Sequence, residues 1–225
     1  MTSSRLLRAD LHLHTHYSPD SLSSFGKLVT ACLEKGIDCV AVTDHNTIAG
    51  ARLMQRLCPF KVVVGEEIRT RHGELIGLFL EEEVPPGLSL EETVKRIKGQ
   101  GGLVLVPHPF DRFRHGIGLQ GLRRILDQVD LVEVFNARTI FLKDNQRARE
   151  FASRHGIPGV AVSDAHSPSE VGRSYTELPT FDGPESFLEA LGQARTIERA
   201  ASPLVHLFSR WAVVARALGR RPNKM

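Results

Sequence analysis

The sequence predicts an α/β barrel on three observations: short apolar runs rich in β-branched residues, helically spaced segments between most of them, and glycine just past the helical ends. In order, the strand-like runs are Cys39-Val-Ala-Val-Thr43, Lys61-Val-Val-Val64, Leu75-Ile-Gly-Leu-Phe79, Leu103-Val-Leu-Val106, Leu131-Val-Glu-Val134 and Gly159-Val-Ala-Val162. Strands apolar at consecutive positions are buried on both faces. Helical spacing marks Leu28 to Leu33 closed by Gly36, Leu53 to Leu57, Leu90 to Ile97 closed by Gly99, and Ala148 to Ala152 closed by Gly156. Strand and helix alternating without a long polar linker implies parallel strands joined by helical crossovers. No G-x-G-x-x-G follows the first strand and no internal repeat is present, so a closed barrel is favoured over an open dinucleotide-binding sheet.

At 225 residues the chain is long enough for one such barrel with a substantial core. Its 41% hydrophobic and 24% charged residues exclude a disordered or fibrous chain. No apolar run approaches the roughly 18 residues that span a bilayer, and Met1-Thr-Ser-Ser-Arg-Leu-Leu-Arg8 offers no signal-like stretch. The expectation is a soluble cytoplasmic protein without a membrane partner. Cys32, Cys39 and Cys58 are odd in number and lie in apolar surroundings, which suits free thiols in a reducing compartment. The net charge of +3 conceals a basic tail: Arg210, Arg216, Arg220, Arg221 and Lys224 face no acid after Pro203, leaving the remainder at −2. Global charge therefore argues little for nucleic acid, although the tail could steer a polyanion locally.

Chemistry gathers where the apolar runs end. In Asp10-Leu-His12-Leu-His14, strand alternation is expected to put positions 10, 12 and 14 on one face, with Leu11 and Leu13 on the other. Two imidazoles then project together and suit Zn, Fe or Mn. The later runs are followed by Asp44-His45-Asn46, Gly65-Glu66-Glu67, Pro107-His108-Pro109 and Ser163-Asp164-Ala165-His166. A barrel of parallel strands releases all of these at its C-terminal rim, where α/β-barrel active sites lie.

In order along the chain, D-L-H-L-H-T-H-Y-S-P-D, V-T-D-H-N, G-E-E-I, H-P-F-D, and S-D-A-H-S followed by E-V-G resemble the motifs of the PHP (polymerase and histidinol phosphatase) family, from Asp10 to about Leu178. The resemblance implies a distorted (β/α)7 barrel holding two or three divalent metals, Mn, Fe or Zn, at the strand C-termini. It implies a first metal on His12, His14, Glu67 and Asp164, a second sharing Glu67 and adding His108, and a third on Asp20, His45 and His166. One position departs from the family pattern. Where many members have histidine in a motif like H-x-L-G, this chain has Glu74-Leu-Ile-Gly77. A carboxylate there is expected to complete the second site with harder oxygen, shifting preference toward Mn, Fe or Mg.

Arg112, Arg114 and His115 follow H-P-F-D, Arg138 follows Glu133-Val-Phe-Asn136, and Arg173 follows E-V-G. Guanidinium forks suit phosphate oxygens. Arg138 and Arg173, in segments resembling the family's substrate-binding stretches, are the expected substrate contacts, and His115 is a candidate proton donor. The expected activity is hydrolysis of a small nucleotide or sugar phosphate monoester, with a metal-bridging hydroxide as nucleophile. The alternatives are a nucleoside 3′,5′-bisphosphate phosphatase or 5′-to-3′ exonuclease on short nucleic acid, then a histidinol phosphatase. A silent metal-binding interaction module is the non-enzymatic alternative. The barrel is expected over residues 1–202. Residues 203–225 are expected to form a basic amphipathic helix docked on it, with Leu204, Leu207, Phe208, Trp211, Val214 and Leu218 at helical spacing.

Overall fold

The computed structural model describes residues 5–219. Its strands are β1 (Leu7–Leu13), β2 (Cys39–Val42), β3 (Lys61–Thr70), β4 (Gly73–Leu78), β5 (Leu103–Val106), β6 (Leu131–Asn136), β7 (Gly159–Val162), β8 (Tyr175–Leu178) and β9 (Arg195–Ile197). Its helices are α1 (Phe25–Lys35), α2 (Ala49–Leu57), α3 (Leu90–Lys98), α4 (Gly118–Ile125), α5 (Leu142–His155), α6 (Pro184–Leu191) and α7 (Val205–Ala217). The sheet order is β7-β6-β5-β4-β3-β2-β1-β8-β9. It curls into a nearly closed barrel, because the segment after β7 returns to β1: Leu13 bridges Ala165, and the His14 N–H donates to the Ala165 carbonyl at 2.9 Å. None of the described helices is long and apolar enough to cross a membrane. Arg220, Arg221 and Lys224 of the basic tail lie outside the described residues.

Two apolar layers hold the barrel. Val40, Val42, Val64, Val104 and Val132 face outward against Leu28, Met54, Val94 and Phe151 of the surrounding helices. The alternate positions Leu11, Ala41, Val63, Ile76, Leu105 and Val162 fill the interior, which Phe181, Phe187 and Leu191 close at the bottom. Polar side chains replace this filling only at the upper rim. Phe187 is 0% exposed. Phe187→Ala is expected to cost about 3–5 kcal/mol, lowering the melting temperature by on the order of 6–20 °C in a chain of this size. A scanning thermal melt checks this, and a shift under about 2 °C would show that the barrel floor collapses around the lost ring.

Two departures from the expected regularity place the site. Only two residues, Arg71 and His72, join β3 to β4, too few for the helical crossover a parallel strand needs. β4 therefore runs antiparallel to β3 and β5, with Glu74 opposite Arg69, so its first residues lie at the upper rim. The second departure is in β1. From Asp10 to Leu13 it advances three residues while β2 advances two, from Val40 to Val42. This is a β-bulge, and it re-aims the side chains beyond it. The expected alternation is corrected accordingly: Leu11 joins the inner layer and Leu13 the outer one. Asp10 turns from the histidines and accepts hydrogen bonds from the Ser163 N–H and hydroxyl and from the Gly172 N–H. Gly36 and Gly156 end α1 and α5 in the left-handed region. Gly99 stays right-handed after α3, and the left-handed residue is Gly101 at φ 75°.

Candidate metal centre

The rim brings together all nine residues expected to carry metal: His12 and His14 from β1, Asp20 from the loop after it, His45 after β2, Glu67 in β3, Glu74 in β4, His108 after β5, and Asp164 and His166 after β7. Three groups have ligand atoms within 4.8 Å of one another: His12, His14 and Asp164; His14, Asp20, His45 and His166; and His45, Glu67 and Glu74. Two members reach the centre only from unusual backbone. His108 and Asp164 have φ of 28° and 55°, a strain of about 1–3 kcal/mol each that the surroundings must offset.

Hydrogen bonding fixes which nitrogen each histidine presents. His12 Nδ1–H donates to Glu133 Oε1 at 2.6 Å. The Ser18 hydroxyl donates to Asp44, so it accepts from His14 Nδ1–H at 3.0 Å. His166 Nδ1–H donates to the Asp164 carbonyl at 2.9 Å. In each ring Nε2 is therefore the nitrogen turned to the centre. His12 Nε2 and His14 Nε2 lie 2.9 Å apart, and His166 Nε2 faces Asp20 Oδ2 at 3.0 Å. Beside the first pair stand Glu67 Oε2, 3.3 Å from His14 Nε2, and Asp164 Oδ1, 3.5 Å from both rings. These two oxygens, with Asp20 Oδ1, are buried and accept no hydrogen bond among the described residues. Imidazole nitrogens and anionic oxygens facing one another in a buried space fit divalent cations.

The fields are strong. Burial would raise the Asp164 carboxyl, but Arg114 and His12 hold it well below the usual carboxylate range. Burial likewise opposes His12 and His45, which hold Glu67 down. His12 would be lowered by burial, yet Asp164, Glu133 and Glu67 raise it well above 6.5. His14 is pushed down to about 4 by burial, aided by positive charge at His45 and His12. A raised pKa means that His12 keeps its proton as pH rises, so a cation must displace that proton. Affinity of the chelator-stripped protein for Mn²⁺ is therefore expected to rise about tenfold per pH unit while His12 is protonated. Calorimetric titration at pH 6 and pH 7 measures this, and equal affinities would contradict the placement of His12.

Several supporting residues were not singled out by sequence. Glu133 holds the His12 ring and accepts from the His108 N–H at 2.9 Å, while Asn136 donates to both Glu133 and Asp164. A bulge in β6 between Glu133 and Phe135 lets residues three apart face the same point. A charged residue inside the buried run Leu131-Val-Glu-Val134 was the available signal. Arg114, already marked by the sequence as a basic residue after H-P-F-D, pairs with Asp164 Oδ2 and donates to Asn136 Oδ1 at 3.2 Å. Glu74 has one oxygen 3.1 Å from Arg69 Nη1 and the other 4.0 Å from His108 Nε2.

Above the centre opens a cavity of about 650 Å³ whose lining includes Asp20, His45, Glu74 and His166 together with Arg69, Arg114, Arg138, Arg210 and His115. Arg173 does not line it; it lies on the surface with its Nε bonded to the Ala200 carbonyl, which corrects its expected role. Arg112 is exposed and also outside the lining. The helix α7 forms one wall. It is held by polar contacts: Arg138 Nη2 to Ser209 Oγ at 2.7 Å, His206 Nε2 to the Arg138 carbonyl at 3.0 Å, and Arg216 Nη2 to the Ser21 carbonyl at 2.8 Å. Ala212 and Ala215 are its buried residues, whereas Leu204, Leu207, Phe208, Trp211, Val214 and Leu218 are exposed. The stripe marked by periodicity is thus not the face turned to the barrel.

A family model described as PHP domain matches residues 10–114, and one described as PHP-associated matches residues 143–196. An uncharacterized protein of Methanocaldococcus jannaschii is 36% identical over 196 residues, covering 82% of this chain and 79% of that protein. Among solved structures, a candidate metal-dependent phosphoesterase from Bifidobacterium adolescentis matches with a TM-score of 0.62 at 18% identity, over 82% of this chain and 96% of that one. A lesion-specific endonuclease from Pyrococcus furiosus matches with a TM-score of 0.66 at 17% identity, over 88% of this chain and 60% of that one. At such identities the likeness to both structures is one of fold.

Proposed function

The chain belongs to the PHP family, and from that premise we propose that it is a metal-dependent phosphoesterase acting on small phosphate monoesters such as a nucleotide or sugar phosphate. The observation that carries this reading is the pair of Nε2 atoms of His12 and His14, 2.9 Å apart, facing unpartnered oxygens of Glu67 and Asp164 beneath an arginine-lined cavity. When bound at this rim, two or three Mn, Fe or Zn ions would supply Lewis-acid polarisation of phosphoryl oxygens and lower the pKa of water toward about 7.

The chain's own groups do the rest. His12, His14, Glu67 and Asp164 would hold one ion, Glu67, His108 and Glu74 a second, and Asp20, His45 and His166 a third. Arg138, fixed by Ser209 and lying 3.3 Å from Glu170, presents a pre-positioned guanidinium at the cavity floor. A fixed fork orients phosphate oxygens without reorganising during reaction. Arg114 neutralises the Asp164 oxygen turned from the centre. His115 is an exposed imidazole in the lining and serves as the candidate proton donor to the leaving oxygen.

A second reading is cleavage of short nucleic acid or of nucleoside 3′,5′-bisphosphates, supported by the likeness in fold to an endonuclease. The wall formed by α7 favours the smaller substrates. Phosphate release with Mn²⁺ from a nucleoside monophosphate, a sugar phosphate, a 3′,5′-bisphosphate and a short oligonucleotide separates these readings. Fastest release from monoesters supports the proposal, and cleavage of internal phosphodiesters without monoester hydrolysis overturns it.

A further inference from the structure

α7 is anchored at both ends to the rim: His206 and Ser209 bond to Arg138 in the loop after β6, and Arg216 bonds to the backbone of the loop after β1. Between these anchors Leu207, Arg210 and Val213, spaced three apart on one helical face, line the cavity. Across from them stand Phe113, from the loop after β5, and Ile140, from the loop after β6. The four apolar side chains are 61% (Leu207), 47% (Val213), 63% (Phe113) and 42% (Ile140) exposed, two from α7 and two from loops, above a densely charged floor. The cavity therefore has two chemistries, a cationic and metal-ligating floor and an apolar collar. Water satisfies the floor but not the collar, whose burial needs an apolar group on the ligand.

We infer that α7 is the specificity wall of this cavity, Leu207 and Val213 acting with Phe113 and Ile140 to select phosphate monoesters that carry a flat apolar group over those built on a polyol. The inference rests on the phosphoesterase reading for the orientation of the ligand, phosphate to the floor and body to the collar.

The test compares 3-phenylpropyl phosphate with glycerol 1-phosphate, which lose similar primary alkoxides and differ in the body presented to the collar. KM and direct binding are measured for both with the Mn²⁺-loaded full chain. The parent should favour the phenyl compound by about tenfold or more, the discrimination a small apolar contact area gives. In Leu207→Gln/Val213→Gln, and separately in Phe113→Ala, that preference should fall toward unity, whereas Leu218→Gln, outside the lining, should keep it. Glutamine is a good helix former and both α7 positions are exposed, so folding should persist. Two loci on different segments guard against a local failure of α7. Equal KM and equal binding for the two compounds in the parent, or a preference unchanged in both the α7 and Phe113 variants, would overturn the inference. Retained binding preference without turnover would instead overturn the phosphoesterase reading and leave the selective wall standing.

Discussion

His14→Ala and Asp164→Ala are each expected to lower phosphatase turnover by on the order of 10³-fold or more, since loss even of a ligand's outer hydrogen-bond partner commonly costs 10–100-fold. His14 belongs to two of the convergent groups, and Asp164 presents an unpartnered oxygen to both β1 imidazoles. The fold should survive, because both residues sit above the apolar interior built on Leu11, Val63, Leu105 and Phe187. Asp164→Ala strands the Arg114 guanidinium, so Asp164→Asn serves as the companion that keeps a polar neighbour for it. Turnover is measured beside circular dichroism and the melting temperature of the metal-free proteins. Unchanged turnover in either alanine variant contradicts the ligand assignment.

Glu74 carries the second large expectation. The reversal of β4 delivers its carboxylate to the rim, where it groups with Glu67 and His45. Arg69 holds one of its oxygens and leaves the other toward His108. Glu74→Gln removes a negative charge from the proposed second position and should weaken that ion and activity by about 10–100-fold, the range seen when metal sites lose a supporting group. Glu74→His replaces hard oxygen with imidazole and should move preference from Mn²⁺ toward Zn²⁺. Stoichiometry and activity with each metal decide this. Identical behaviour of both variants and the parent would make Glu74 a partner of Arg69 only.

Much of the barrel was legible because its signals are local. Consecutive apolar residues marked the strands, and histidine or carboxylate just beyond each run marked the rim. What escaped depended on pairing between segments. No local pattern shows that β1 advances three residues against two of β2, so Asp10 was expected beside His12 and instead bonds Ser163. Glu133 was hidden within an apolar run, and its value emerges only when His12, 121 positions away, meets it. The helical stripe of α7 was correctly periodic but wrongly oriented, because Arg138 and the backbone of the loop after β1 fix the helix through Ser209, His206 and Arg216. Arg173 and Arg138 looked equivalent in sequence. Only Arg138 reaches the cavity, since Arg173 is bonded to Ala200 at the surface.

The proposed chemistry requires a rim that holds several divalent ions at once. Elemental analysis of protein purified after metal-replete expression tests this most directly. At least two equivalents of transition metal per chain are expected, and fewer than one equivalent would contradict the multinuclear centre.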